Sequence, residues 1–118
     1  MFTKGKTMQL EKIEKKGYQI IRIKDDLNFN SDLTEVKEVV EDLLIRNKVM
    51  IAVSLTPRSY LSSMSIGYLL SIYKIVRVKN GILAVVQPNE EDNDLLEMLS
   101  MTSVIETYRS EDELVSKE

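Results

Sequence analysis

Two hydrophobic rhythms alternate along the chain, one of period two or continuous, the other of helical spacing. Met8 to Ile13 and Tyr18 to Lys24 flank Lys15-Lys16-Gly17, a charged turn suited to a hairpin, so two opening strands are predicted after a short flexible lead at residues 1–7. Leu33, Val36, Val39, Val40, Leu43 and Leu44 then recur at three- and four-residue spacing. With Ser31 as N-cap and Asp32 and Glu35 following it, this predicts an amphipathic helix. Val49 to Leu55 is almost continuously apolar, as a central strand covered on both faces requires, and Ile82 to Val86 repeats that signature. Between them a helix is predicted from Ser63 to Lys79, with Ile66, Leu69, Leu70, Tyr73 and Val76 facing inward and Asn80-Gly81 ending it.

Beyond Pro88 the carboxylates of Glu90, Glu91, Asp92 and Asp94 precede Leu95, Leu96 and Leu99. Acidic residues complement the positive end of a helix dipole, so they are read as the first turns of a third helix and not as a metal site. Val104 to Tyr108 is a predicted short edge strand, and the capping-box spacing of Ser110 and Glu113 opens a last helix closing near Val115. Strands alternating with helices imply one α/β domain over residues 8–118: a mixed sheet of about four or five strands with about four helices packed on it.

Composition narrows the function more than the fold. At 118 residues and 43% hydrophobic content the chain supports one compact core. A formal charge of −3, from 16 basic and 19 acidic residues, gives no field for attracting nucleic acid or an anionic membrane. Histidine and cysteine are both absent, which removes the usual zinc sites, thiol nucleophiles, disulfides and imidazole bases. Gly5, Gly17, Gly67 and Gly81 lie too far apart for a phosphate-binding loop or a dinucleotide fingerprint, so the chain has no nucleotide motif of its own. Lys12, Lys15 and Lys16 alternate with Glu11 and Glu14 as a solvated hairpin surface, and Met98 and Met101 beside Leu95 and Leu99 read as packing. The opening MFTKGKTMQL has no signal-peptide pattern and no apolar run approaches the ~18 residues a membrane span needs, so a cytoplasmic location is expected.

One segment stands apart. Ser54 to Tyr73 reads SLTPRSYLSSMSIGYLLSIY: a buried strand end, a polar loop, two adjacent serines, then a helical apolar pattern. That order sets the Ser63 hydroxyl at the positive end of a helix, where a phosphate is favoured. The same position suits a plain capping serine, a role worth about 1 kcal/mol. The two roles are compatible. Catalysis by Ser63 would need a base such as Lys74 or a nearby carboxylate, and no spacing supports such a dyad.

These residues resemble the STAS family, the fold of bacterial anti-sigma factor antagonists and of regulatory domains on sulfate transporters. In that family a strand ends in an Asp-Leu-Ser-Gly-type turn and, after a loop, Asp-Ser-Ser-Gly-Leu-Gly opens a helix. Ser54-Leu55-Thr56-Pro57 and Ser62-Ser63-Met64-Ser65-Ile66-Gly67 stand at the same separation, and the likeness extends from about Met8 to Val115. The resemblance implies that Ser63 is phosphorylated by an anti-sigma factor with serine-kinase activity, in a partner switch that phosphorylation ends. It implies a contact face drawn from Asn28, Phe29 and Asn30; from Ser54, Thr56, Arg58, Tyr60, Ser62, Ser63 and Met64; and from Ser65, Gly67 and Tyr68. ATP and magnesium would belong to the kinase, so no tightly bound cofactor is expected. Asn28, Ser54 and Ser62 would shape the surroundings of Ser63. Each of these three stands where the family carries an aspartate, and Ser65 stands where glycine is usual. A non-phosphorylated scaffold or small-ligand sensor is the alternative function on the same fold, and a homodimer stays open.

Overall fold

The computed structural model describes residues 8–86 and 89–116; the predicted lead at residues 1–7 lies outside them. Ten short elements follow one another. They are β1 (Leu10–Lys15), β2 (Tyr18–Ile23), α1 (Thr34–Ile45), β3 (Met50–Ser54), α2 (Ser63–Val78), β4 (Ile82–Val86), α3 (Glu90–Met98), a 3₁₀ turn (Met101–Ser103), β5 (Glu106–Tyr108) and α4 (Glu111–Ser116). The strands form one five-stranded sheet in sequence order. β1 and β2 are antiparallel, joined by Lys16 and Gly17, whose φ angles of 51° and 88° give the left-handed two-residue turn that matches strand twist. The pairs β2–β3, β3–β4 and β4–β5 are parallel. Because parallel neighbours need crossovers, a helix leaves the end of each strand from β2 to β4.

Strand alternation divides the core in two. Ile21, Ile23, Ile51, Val53, Leu83 and Val85 face a large cluster with Val36, Val40 and Leu43 of α1, Leu69, Ile72 and Val76 of α2 and Leu96 of α3. Tyr18, Ile20, Ala52, Ala84 and Val86 point the other way, where Leu114 of α4 closes a smaller cluster. Three helices therefore cover one face and a single short helix the other. α4 is held there by charge as well as by Leu114: Arg22 Nε and Nη2 donate to the two Glu111 carboxylate oxygens, each at 2.8 Å. Lys15 Nζ lies 3.3 Å from the same carboxylate. This pairing depresses Glu111 from 4.5 to about 2.

Both long helices end in the same way. Asn47 and Asn80 take the left-handed conformation, with φ of 67° and 59°. Lys48 N–H reaches Leu43 C=O at 2.9 Å and Gly81 N–H reaches Val76 C=O at 3.0 Å, the reciprocal bonds of a Schellman ending. Asn80, not Gly81, supplies the left-handed residue. Gly81 serves close approach, since a Cβ there would lie 2.4 Å from Val49 O.

Several expectations shift. Ser31 does not cap α1: its hydroxyl accepts from Asn28 N–H, and Asp32 Oδ1 instead accepts from Thr34 N–H at 2.8 Å, so the helix starts later. In α2 the inward stripe is rotated. Ser65, Leu69, Ile72 and Val76 are buried while Leu70 is exposed, because α2 packs between the sheet and α1 and not on the sheet alone. The edge strand begins at Glu106, because the N–H groups of Val104 and Ile105 bond back to Met101 C=O at the end of the 3₁₀ turn. Met101 is buried, but Met98 is 74% exposed and lies outside the core. Among the described residues no helix is long and apolar enough to cross a membrane.

Candidate functional site

Parallel pairing brings the carboxyl ends of β2, β3 and β4 to one end of the molecule, so the loops leaving them meet. The loop after β3 is tied to the loop after β2 by a directed chain of bonds. Thr56 Oγ1 donates to Asp26 Oδ1 at 2.6 Å, which leaves the Ser59 hydroxyl to donate to Thr56 Oγ1 at 2.9 Å. Ser59 Oγ in turn accepts from Leu27 N–H at 3.0 Å, and Tyr60 N–H donates to Leu27 C=O at 2.8 Å. Ser59 is buried, so removing its hydroxyl would strand a backbone donor.

The other side of the loop is held by α3. Leu61 N–H donates to Asp92 Oδ1 at 3.1 Å, within the protein interior. Asp92 is 4% exposed and is therefore an anchor for the loop more than a complement to the helix dipole. Asn89 caps α3 and its Nδ2 donates to Pro57 C=O at 3.1 Å and Ser59 C=O at 3.4 Å.

Leu61, itself buried, hands the chain to α2. Ser62 is the N-cap: its backbone is extended, with φ −108° and ψ 174°, and its hydroxyl accepts from Ser65 N–H at 3.2 Å. The Ser62 and Ser65 hydroxyls lie 3.3 Å apart, and Ser65 is fully buried. Ser63 occupies the first helical position and is exposed. Of three serines in four residues, the two flanking ones are engaged by the helix end and the middle one faces solvent. The first turn of α2 holds no acidic residue, so the partial positive charge of the helix end is not offset locally.

Large apolar side chains are exposed on the two loops and on the first turn of α2. Tyr60 is 58% exposed, Met64 49% and Phe29 67%. Phe29 is pushed outward by an Asx turn in which Asn28 Oδ1 accepts from Asn30 N–H at 2.8 Å. Arg58 and Asn30 are exposed beside them. Gly67 is exposed and a Cβ there would meet nothing within 4 Å, so nothing inside the molecule requires glycine. Tyr68 sits deeper, its hydroxyl 3.2 Å from Thr34 Oγ1. The Thr34 hydroxyl and N–H, with Tyr68 O–H, hold Asp32 below the usual carboxylate range.

Ser54 is not brought to Ser63. Strand alternation puts its side chain on the same face as Ala52, toward α4, where its hydroxyl adds a small share to the lowering of the Glu111 carboxylate. Asn28 is likewise occupied in its own turn, leaving Ser62 as the immediate neighbour of Ser63. The roles of Ser59, Asn89 and Asp26 carry no signal in the sequence, and Asp92, expected to complement the helix dipole, is a buried anchor instead. Asp92 carried a signal, since it precedes Leu95, Leu96 and Leu99 by three, four and seven residues and so lies on the apolar face of α3. A polar groove of about 360 Å³ that includes none of the residues predicted for the site is lined by Glu90, Asn93, Asp94 and Glu97 of α3 with Thr102, Thr107, Arg109 and Glu113. Among the described residues no group of side chains could hold a metal ion.

The geometry has counterparts among known proteins. The STAS domain model matches residues 9–114. An anti-sigma F factor antagonist from Paenibacillus polymyxa is 25% identical over 104 residues, covering 88% of this chain and 89% of that protein. The crystal structure of TM1081, a candidate anti-sigma factor antagonist from Thermotoga maritima, superposes with a TM-score of 0.74 at 20% identity, over 93% of this chain and 95% of its own. The Bacillus cell fate determinant SpoIIAA in its phosphorylated form gives a TM-score of 0.61 at 12% identity, over 93% and 97%. With a mixed sheet, helices divided between its faces and a family match across nearly its whole length, this chain belongs to the STAS domain family.

Proposed function

We propose that this protein is an anti-sigma factor antagonist of the cytoplasm, binding an anti-sigma factor through the end of the molecule that carries Ser63, with phosphorylation of Ser63 by that partner's kinase activity ending the complex. The observation that carries the reading is the contrast among neighbouring hydroxyls. Ser62, Ser65 and Ser59 are consumed by the helix cap and the loop, while Ser63 is exposed at the amino end of α2. A phosphate there gains the helix dipole and the free backbone N–H groups, so the protein's own fold tolerates the modification.

Exposed Phe29, Tyr60 and Met64 around Ser63 supply the apolar centre that a specific protein interface needs. A phosphate adds about −1.5 to −2 charge at pH 7 to that centre, and its desolvation opposes contact. ATP and magnesium would belong to the kinase, and this chain acts by binding, without chemistry of its own. The Paenibacillus relative named as an antagonist supports the same role.

The test joins two measurements on protein from its native cell. Phosphopeptide mass spectrometry is expected to find phosphate on Ser63. Titration calorimetry with the anti-sigma factor is expected to show binding by wild type and Ser63→Ala and at least tenfold weaker binding by Ser63→Asp. Persistent absence of the phosphate together with full binding by Ser63→Asp would reject the switch.

A further inference from the structure

The loop that presents Ser63 is clamped on its α3 side by a residue outside the predicted contact face. Asn89 Oδ1 accepts from Glu91 N–H at 2.8 Å and Asp92 N–H at 3.3 Å, while Nδ2 donates to Pro57 C=O at 3.1 Å and Ser59 C=O at 3.4 Å. Two backbone donors stand on one side of the carboxamide and two backbone acceptors on the other, which also fixes which way round the amide sits. An aspartate or serine caps a helix as well as asparagine does, yet an ionised aspartate has no donor and a serine has a single O–H hydrogen on the oxygen that must accept from α3, so neither can donate to both loop carbonyls. Capping alone therefore does not account for an asparagine here.

We infer that Asn89 is a positioning residue for the phosphoacceptor: it holds the Pro57–Ser59 backbone to the start of α3 and so sets the shape in which Ser63 is presented. The bonds it makes run in parallel with the one from Leu61 N–H to Asp92, three residues further along α3. Together these make the amino end of α3 the back wall of the loop, as Leu27 is its front wall through Ser59 and Tyr60. Loosening Asn89 frees the backbone carbonyls of the loop without touching the sheet or the large core. The inference rests on the reading of Ser63 given above.

Two variants separate clamp from cap. Asn89→Ser keeps an oxygen for the α3 N–H groups and replaces the two amide hydrogens with a single hydroxyl hydrogen on a shorter side chain, so at most one loop carbonyl keeps a donor. Asn89→Asp keeps the cap but aims carboxylate lone pairs at the two loop carbonyls. Amide hydrogen exchange by NMR on the full chain is expected to show Tyr60 and Leu61 exchanging faster in the order wild type, Asn89→Ser, Asn89→Asp, by about tenfold or more in the last. Exchange at Ile51 to Val53 and the thermal midpoint should stay as in wild type. Unchanged exchange at Tyr60 and Leu61 in both variants, or equal acceleration throughout the sheet, overturns the assignment. The rate of Ser63 phosphorylation by the partner kinase, measured alongside, should fall in the same order, and an unchanged rate in loosened variants also overturns it. A wild-type chain that accepts no phosphate instead refutes the reading of Ser63, and the exchange data still judge the clamp, because they are read without any partner.

Discussion

Substituting Glu111→Gln should destabilise the protein at neutral pH and cease to matter in acid. Glu111 is the point where α4 meets the sheet: its carboxylate takes both Arg22 donors at 2.8 Å and has 17% of its side chain exposed. The drop from 4.5 to about 2 would correspond to roughly 3 kcal/mol at 1.36 kcal/mol per unit. Arg22 is 31% exposed and keeps a second partner in Glu11 at 3.2 Å, so solvent and redundancy reduce this to about 1–2 kcal/mol. The sign follows from the depressed value. Stability from this group is fully present above the unfolded value of 4.5, declines as the pH falls below it, and is gone below about 2. Urea unfolding of wild type and Glu111→Gln at pH 7, 5, 4 and 3 would measure the difference. It should be largest at pH 7 and shrink steadily below pH 5. A gap that is the same at every pH would refute the electrostatic account and assign the effect to packing of α4.

Three further outcomes are expected. Ser62→Ala should cost about 1 kcal/mol in chemical denaturation through loss of the α2 cap, while leaving Ser63 able to accept phosphate in a mass-spectrometric assay. Gly81→Ala should cost about 3 kcal/mol by thermal unfolding, because the new Cβ would lie 2.4 Å from Val49 O and 2.9 Å from Val76 Cγ1, neither of which is free to move. Tyr60→Ala and Phe29→Ala should change stability by no more than about 0.5 kcal/mol, being 58% and 67% exposed, yet weaken binding to the proposed anti-sigma factor partner by tenfold or more in calorimetry.

The elements were legible because each carries a periodicity that its surroundings do not contradict. Val49 to Leu55 had to be a strand buried on both faces, and it is the middle strand of the sheet. Ser63 at the mouth of a helix followed from the same logic, and the chain places it at the first position of α2. Periodicity gives a helix face but not the second body it packs against. Leu70 was expected inward on the sheet side, whereas contact with α1 turns α2 so that Ile72 and Ser65 are buried instead. Ser31 failed as a cap for a related reason, since its hydroxyl is drawn into the Asn28 turn, a local competitor that spacing does not register. The anchors of the loop were the least visible. Ser59 and Asn89 satisfy backbone groups contributed by segments about 30 residues away, and a pattern read along the chain contains no such pairing.

The replacement of aspartates by Asn28, Ser54 and Ser62 has a physical consequence for the proposed switch. A carboxylate at position 62 would sit one residue before the phosphate and repel it, offsetting part of the 0.3–1 kcal/mol or so that an anion gains at a helix amino end. With Ser62 neutral and no acidic residue in the first turn of α2, phospho-Ser63 meets the dipole with less opposition. The carboxylates that do serve this end of the molecule, Asp26 and Asp92, are turned to Thr56 Oγ1 and Leu61 N–H and fix the loop. Modification at Ser63 would thus leave the fold intact or slightly firmer, and whatever it does to a partner must be exerted across the surface formed by Phe29, Tyr60 and Met64. A switch built this way would need no conformational change in this chain: the same loop would present either a hydroxyl or a phosphate, and the difference in desolvation between the two would decide whether the proposed complex holds.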